Sequence, residues 1–110
     1  LQEIAGIPVR DLAERFGTPV YVYDRAVIEE RIKQLHQFPT IRYAQKACSN
    51  IAILSLMRKL GVVVDATTVG EVHRALTAGY KPEEIVYTSD ILDTPAIEMI
   101  RRWNVGINCG

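Results

Sequence analysis

Lys46 ends the run Tyr43-Ala44-Gln45-Lys46, and further along Asp65 ends Val62-Val63-Val64-Asp65. Each charge follows a short apolar or extended-looking stretch, a place where lysine and aspartate are uncommon unless something holds them there. A lysine amine kept partly dry and near other positive charge titrates lower and becomes a nucleophile. Its natural partner is an aldehyde, and the chemistry is that of a Schiff base. The plainer readings stand beside this one. Lys46 can be a solvated charge at a strand end, and Asp65 a turn cap or the partner of a lysine. Glu71 closes Thr68-Val69-Gly70-Glu71, a capping box in which threonine and glutamate satisfy each other's backbone donors. Cys48 reads as a small apolar filler, His73 as an exposed helix residue, His36 as a helix-end charge, and Tyr23 and Tyr43 as core-facing aromatics.

Extended runs alternate with amphipathic ones along the whole chain. Pro19–Tyr23 is the first strand candidate, followed by a helix capped by Asp24 that carries Val27, Ile28, Ile32 and Leu35 at helical spacing. Ile41–Ala47 is the second, followed by a helix from about Asn50 to Leu60 that Gly61 stops in a left-handed conformation. Val62–Ala66 is the third, with a helix through Val72, Ala75 and Leu76 that ends at Gly79. Glu84–Thr88 is the fourth, and Thr94-Pro95 supplies the N-cap and first residue of a helix with Ile97 and Ile100 inward. A fifth strand opens at Val105. Repeated strand-then-helix units with short joints build a parallel sheet. The fold expected is α/β: the N-terminal portion of a (β/α)8 barrel, incomplete in this chain, in preference to a small doubly wound sheet.

Placed in that frame, Arg42, Ala44 and Lys46 point to one side of their strand, and Ile41, Tyr43 and Gln45 to the other. Small Ala44 leaves room beside Lys46. Lys46 and Asp65 both stand at carboxyl ends of strands, where the active sites of parallel α/β folds collect. Pyridoxal phosphate is the cofactor whose aldehyde suits such a lysine and whose ring serves as an electron sink.

Composition narrows the partners. The chain has 110 residues, 48% of them hydrophobic, with 13 Lys plus Arg against 13 Asp plus Glu. One packed core fits that length. A balanced charge offers no field for a nucleic-acid backbone or an anionic membrane. The longest apolar runs fall short of a bilayer span, and no signal-peptide pattern opens the chain, so a soluble cytoplasmic protein is expected. Cys48 and Cys109 form no Cys-x-x-Cys pair and no zinc-type cluster; reduced thiols and no metal are expected.

The run Arg42-Tyr43-Ala44-Gln45-Lys46-Ala47-Cys48-Ser49-Asn50, with Val64-Asp65 and Gly70-Glu71-Val72-His73-Arg74-Ala75-Leu76-Thr77-Ala78-Gly79, resembles the diaminopimelate decarboxylase family. Phe16-Gly17-Thr18-Pro19-Val20-Tyr21-Val22-Tyr23-Asp24 is similar to that family's opening, where the chain passes from a β domain into the barrel. The resemblance implies residues 1–24 as the lead-in from the β domain with the first strand, and 25–110 as the first βα units of the barrel. It implies that Lys46 carries pyridoxal phosphate and that Asp65 and Glu71 lie beside the cofactor, with Ala44 counted among the cofactor-binding residues. It implies decarboxylation of meso-2,6-diaminopimelate to L-lysine, a small amino-acid substrate, and a homodimer in the full enzyme. The family's phosphate cradle and proton-donor segment have no counterpart up to Gly110, so the chain is expected to be a segment of a longer enzyme and inactive by itself. Val86-Tyr87-Thr88-Ser89-Asp90 departs from the family's Gly-Asn-rich turn, which puts a cofactor contact from that loop in doubt. Other readings are an ornithine or arginine decarboxylase or an alanine racemase on the same barrel, and a phosphoacceptor switch domain using Asp65. The last needs an acidic pair after the first strand and a lysine late in the chain, whereas here Lys46 precedes Asp65.

Overall fold

The computed structural model describes residues 2–108, which divide into two compact units between Gln37 and Phe38. In the first unit β1 (Glu3–Ile4) pairs antiparallel with β2 (Ile7–Pro8). Ala5 and Gly6 between them both have positive φ, the conformation that a tight two-residue hairpin demands. Helix α1 (Val9–Phe16) buries Leu12, and the Arg15 guanidinium lies 5.1 Å from the centre of the Phe16 ring. Helix α2 (Arg25–Lys33) begins as expected, with the Asp24 side chain accepting from the Ala26 N–H at 2.8 Å, and it buries Ile32.

The second unit is a parallel sheet in the order β3 (Arg42–Ala44), β4 (Val63–Ala66), β5 (Ile85–Thr88), β6 (Gly106–Asn108). Helices α3 (Ile51–Lys59), α4 (Val69–Thr77) and α5 (Thr94–Trp103) connect successive strands. The period of two within each strand decides which face they cover. Val64, Ala66, Ile85 and Tyr87 are buried in one cluster with Leu54 of α3, Val72 and Ala75 of α4, and Ala96 and Ile100 of α5. The intervening Val63, Asp65, Val86 and Thr88 lie on the other face and are only half-buried. Register sets Ala44 opposite Asp65 and Asp65 opposite Val86 on that face.

All three helices end by one device. After α3, Gly61 at φ 78° donates to the Arg58 carbonyl and Val62 to that of Met57. After α4, Gly79 at φ 98° donates to Leu76 and Tyr80 to Ala75; after α5, Asn104 at φ 57° donates to Arg101 and Val105 to Ile100. These are Schellman closures, in which the residue after the left-handed one reaches back to the last turn. That residue is Val62, Tyr80 or Val105, each of them buried, so the chain turns and re-enters the core in one step. The Tyr80 hydroxyl completes its place by donating to the Val62 carbonyl at 2.9 Å.

Several sequence-based expectations need correction. No strand forms at Pro19–Tyr23, and Tyr23 is exposed rather than core-facing. Alternating apolar residues make a strand only where a ladder partner exists, so composition by itself does not decide the matter. The second strand stops at Ala44 instead of Ala47, because Gln45–Ala47 turns into a 3₁₀ helix. Asp93, and not Thr94, caps α5: its carboxylate accepts from the Ala96 N–H at 2.8 Å, while Thr94 is already helical. Aspartate is at least as good a cap as threonine, and the shift turns Ala96 and Ile100 inward and leaves Ile97 exposed. The hairpin and α1 were not anticipated at all.

One surface interaction carries a pH signature. The Glu84 carboxylate accepts from the Lys81 N–H at 2.7 Å and pairs with Arg58 at 3.2 Å, tying the return into β5 to α3. The backbone hydrogen bond first, and the Arg58 side chain second, hold its pKa below the ordinary value of 4.5 against the opposing effect of burial. A folded-state pKa that is depressed gives stability that is present above 4.5 and lost as pH falls through the lower folded value. Glu84→Ala should therefore destabilise at neutral pH, by about 1 kcal/mol for the lost charge-assisted contacts. Its deficit relative to wild type should shrink in urea titrations run at successively lower pH below 4.5.

Candidate active site

The carboxyl ends of β3, β4 and β5 lie side by side, and the residues just past them enclose one cavity of about 370 Å³. Lys46, Asp65, Thr67, Thr88, Ser89, Asp90 and Ile91 line it. Lys46 and Asp65, singled out from sequence, are thus brought together. Lys46 does not extend the strand but stands on the 3₁₀ turn Gln45–Ala47, exposed, while its neighbour Gln45 is 1% exposed. The opposition of these two side chains is the one the strand pattern implied, although the backbone between them is a turn.

Asp65 has a defined orientation. The Thr88 hydroxyl, at the end of the next strand, donates to Asp65 Oδ1 at 2.6 Å. Thr88 was missed by sequence reasoning, which doubted the loop that it opens. The available signal was register: β4 and β5 run parallel, so a hydroxyl at the end of β5 falls beside a carboxylate near the end of β4.

Glu71 does not line the cavity. Its carboxylate accepts from the Thr67 N–H at 2.6 Å and the Thr67 hydroxyl at 3.1 Å, and Thr67 does line it. The capping box is therefore only half as expected. The Thr68 hydroxyl accepts from the Glu71 N–H at 3.1 Å, but Glu71 reaches back one residue too far for the reciprocal bond. The difference is functional in placement: a helix-start glutamate fixes the backbone that leads from Asp65 into α4. Ala44 does not line the cavity either; it sits opposite Asp65 in the ladder.

Of the other residues considered, Cys48 is a half-buried free cysteine, and Cys109 lies outside the described residues. His73 is exposed on α4, its ring 6.2 Å from that of Trp103. Tyr43 packs against the core, as expected. No helix among the described residues is long and apolar enough to cross a membrane.

A lysine amine, a buttressed carboxylate and three hydroxyls line this cavity at the carboxyl edge of a parallel sheet, the edge where active sites of parallel α/β folds collect. The donor set fits an aldehyde cofactor, with an amine for its carbonyl and polar groups around it. Residues 25–110 match the family described as pyridoxal-dependent decarboxylase, pyridoxal binding domain. The chain belongs to the pyridoxal-dependent decarboxylases, and pyridoxal phosphate is the cofactor that this family implies. It is 47% identical over 103 residues to the diaminopimelate decarboxylase of Escherichia coli (strain K12), covering 90% of this chain and 24% of that protein. To the diaminopimelate decarboxylase of Streptomyces coelicolor it is 46% identical over 102 residues, covering 89% of this chain and 23% of that one. A crystal structure of diaminopimelate decarboxylase superposes with a TM-score of 0.87 at 47% identity, over 90% of this chain and 24% of that chain. The M. jannaschii diaminopimelate decarboxylase, solved in co-complex with L-lysine, superposes with a TM-score of 0.80 at 30% identity, over 97% of this chain and 27% of that chain. The chain thus spans about a quarter of the length of these relatives, and its four parallel strands are part of a barrel.

Proposed function

We propose that the protein to which this chain belongs decarboxylates meso-2,6-diaminopimelate to L-lysine, and that this segment supplies the lysine that carries the cofactor. The observation that carries the reading is the shared cavity of Lys46 and Asp65 at the carboxyl edge of the sheet. The relatives named diaminopimelate decarboxylase, at 47% and 46% identity, support the choice of substrate.

Pyridoxal phosphate, when bound, offers a carbonyl to the lysine amine and a ring that accepts the electron pair released at the substrate's α carbon as carbon dioxide departs. The residues of this chain do the rest of what falls to it. Lys46 would hold the cofactor through its amine, and its exposure in the cavity leaves that amine accessible. Asp65, held by the Thr88 hydroxyl, keeps a carboxylate at a fixed point in the cavity that Lys46 also lines. Glu71 acts through Thr67, and Ala44 lies opposite Asp65 in the ladder. The protein is read as a cytoplasmic homodimer with the active site shared between its subunits.

Purified full-length protein supplied with pyridoxal phosphate should release carbon dioxide and L-lysine from meso-diaminopimelate, with ornithine and arginine turned over at least about 100-fold more slowly, the discrimination available to a site that pairs a substrate's distal polar groups. Turnover of ornithine or arginine in preference to diaminopimelate would refute the substrate assignment.

A further inference from the structure

The turn that presents Lys46 is short and poorly supported by its own backbone. Gln45–Ala47 is a single 3₁₀ turn, a geometry with weak hydrogen bonds that seldom persists without help. Its N-cap is Ala44, which offers no side-chain bond. The residues after the turn are better anchored: Arg74 donates to the Ser49 hydroxyl at 2.6 Å, and the Asn50 side chain caps α3 through the Ala52 and Ile53 N–H groups. Between the strand and those anchors, one side-chain bond spans the turn. The Tyr43 hydroxyl donates to the Cys48 carbonyl at 2.9 Å.

That bond is incompatible with the strand that the sequence pattern suggests. In an extended chain five residues cover about 16 Å, well beyond the reach of a phenol side chain. Only when the backbone has folded back over Gln45, Lys46 and Ala47 does the Cys48 carbonyl come within range. The bond therefore selects the turned conformation over the extended one, and the turned conformation sends the Lys46 side chain into the cavity with Asp65. The ring of Tyr43 is fixed independently, since it packs against the sheet-and-helix core and sits opposite Val64 in the ladder. Burial first, and the neighbouring Cys48 second, raise the phenol above its ordinary value of 10.0, so it remains a donor throughout the neutral range.

We propose that Tyr43 is a positioning residue, whose hydroxyl on the Cys48 carbonyl holds the turn that delivers Lys46 to the cofactor. The inference rests on the reading of Lys46 as the cofactor-bearing lysine.

Tyr43→Phe in the full-length protein removes the hydroxyl and keeps the ring. Tyr80→Phe is the matched control, because it removes another tyrosine-to-carbonyl bond in the core, on Val62 and away from the turn. In the cofactor-free proteins, amide hydrogen exchange of the peptide covering residues 44–49 should be about three- to tenfold faster in Tyr43→Phe, as loss of one net hydrogen bond implies, and unchanged in Tyr80→Phe. Reductive methylation of the Lys46 amine, followed by mass spectrometry across a pH series, should show an altered profile in Tyr43→Phe alone. Pyridoxal phosphate titrated by absorption should be captured correspondingly more weakly by that variant. Equal exchange and equal labelling in Tyr43→Phe and wild type, or equal changes in both tyrosine variants, would overturn the proposal. Lys46→Ala run in parallel separates the two ideas: cofactor capture that survives in Lys46→Ala removes the premise about Lys46, whereas the exchange data judge Tyr43 on their own.

Discussion

Lys46→Ala in the full-length protein should abolish the visible absorption of bound cofactor and lower turnover on the order of 10³-fold or more, as removal of a covalent-catalysis residue does. The effect should be chemical and not structural. Lys46 is exposed, its side chain contributes nothing to the buried cluster, and a substitution at such a position changes stability by less than about 0.5 kcal/mol. Lys46→Arg makes the prediction sharper. It preserves the positive charge beside Asp65, so if Lys46 were only a solvated charge or the partner of Asp65, arginine would serve nearly as well. A guanidinium stays protonated and offers no free amine, so the covalent reading requires Lys46→Arg to fail as completely as Lys46→Ala. The absorption spectrum and kcat of the two variants, with melting curves to verify folding, decide between these. A Lys46→Arg protein that retains the cofactor band would exclude covalent attachment at this residue.

Leu54→Ala should be the most damaging of the conservative truncations. Leu54 is fully buried on α3, within the cluster that joins Val64, Ala66 and Ile85 of the sheet to Val72 and Ala75 of α4. Removing three buried carbons there costs their transfer from water and leaves a cavity between rigid elements, together about 3 kcal/mol. The same truncation at Leu35, which is exposed, should cost less than about 0.5 kcal/mol. Urea unfolding of wild type and both variants measures the difference as a shift in midpoint at constant slope. Equal midpoints for Leu54→Ala and Leu35→Ala would mean that α3 is not seated on the sheet as described. Because α3 follows directly from the turn that carries Lys46, the Leu54 variant should also show weakened cofactor capture at temperatures where wild type is still folded.

Much of this architecture was legible in the residues, and the exceptions have a common cause. Gly61 and Gly79 announced two helix ends because a left-handed residue after an apolar periodic run has few other uses. Asn104 makes the same closure for α5 but carries a weaker signal, since asparagine also serves in caps and turns. Lys46 and Asp65 could be placed at one edge because the strand-helix alternation fixes direction, and direction fixes which ends share a mouth. What could not be read was local backbone choice decided by a distant or non-repeating contact. The turn at Gln45–Ala47 depends on a tyrosine hydroxyl reaching a carbonyl, Glu71 reaches Thr67 in place of Thr68, and the hairpin before α1 is too short to show any period. Pro19–Tyr23 has the composition of a strand but forms no strand, an outcome that composition by itself does not reveal.

The three Schellman closures have an evolutionary corollary. They lie at the edge where helices return to strands, and there the geometry repeats from unit to unit. At the opposite edge only the side-chain N-caps Asn50, Thr68 and Asp93 recur, while the segments before them differ: a 3₁₀ turn at 45–47, a Thr67 held by Glu71, and a longer loop in which the Ser89 hydroxyl donates to the Ile91 carbonyl. Heritable change can therefore accumulate at the chemical edge while the return edge stays standardised. A descendant could exchange residues 89–91, which line the cavity, for a longer or differently charged segment while Asp93 goes on capping α5.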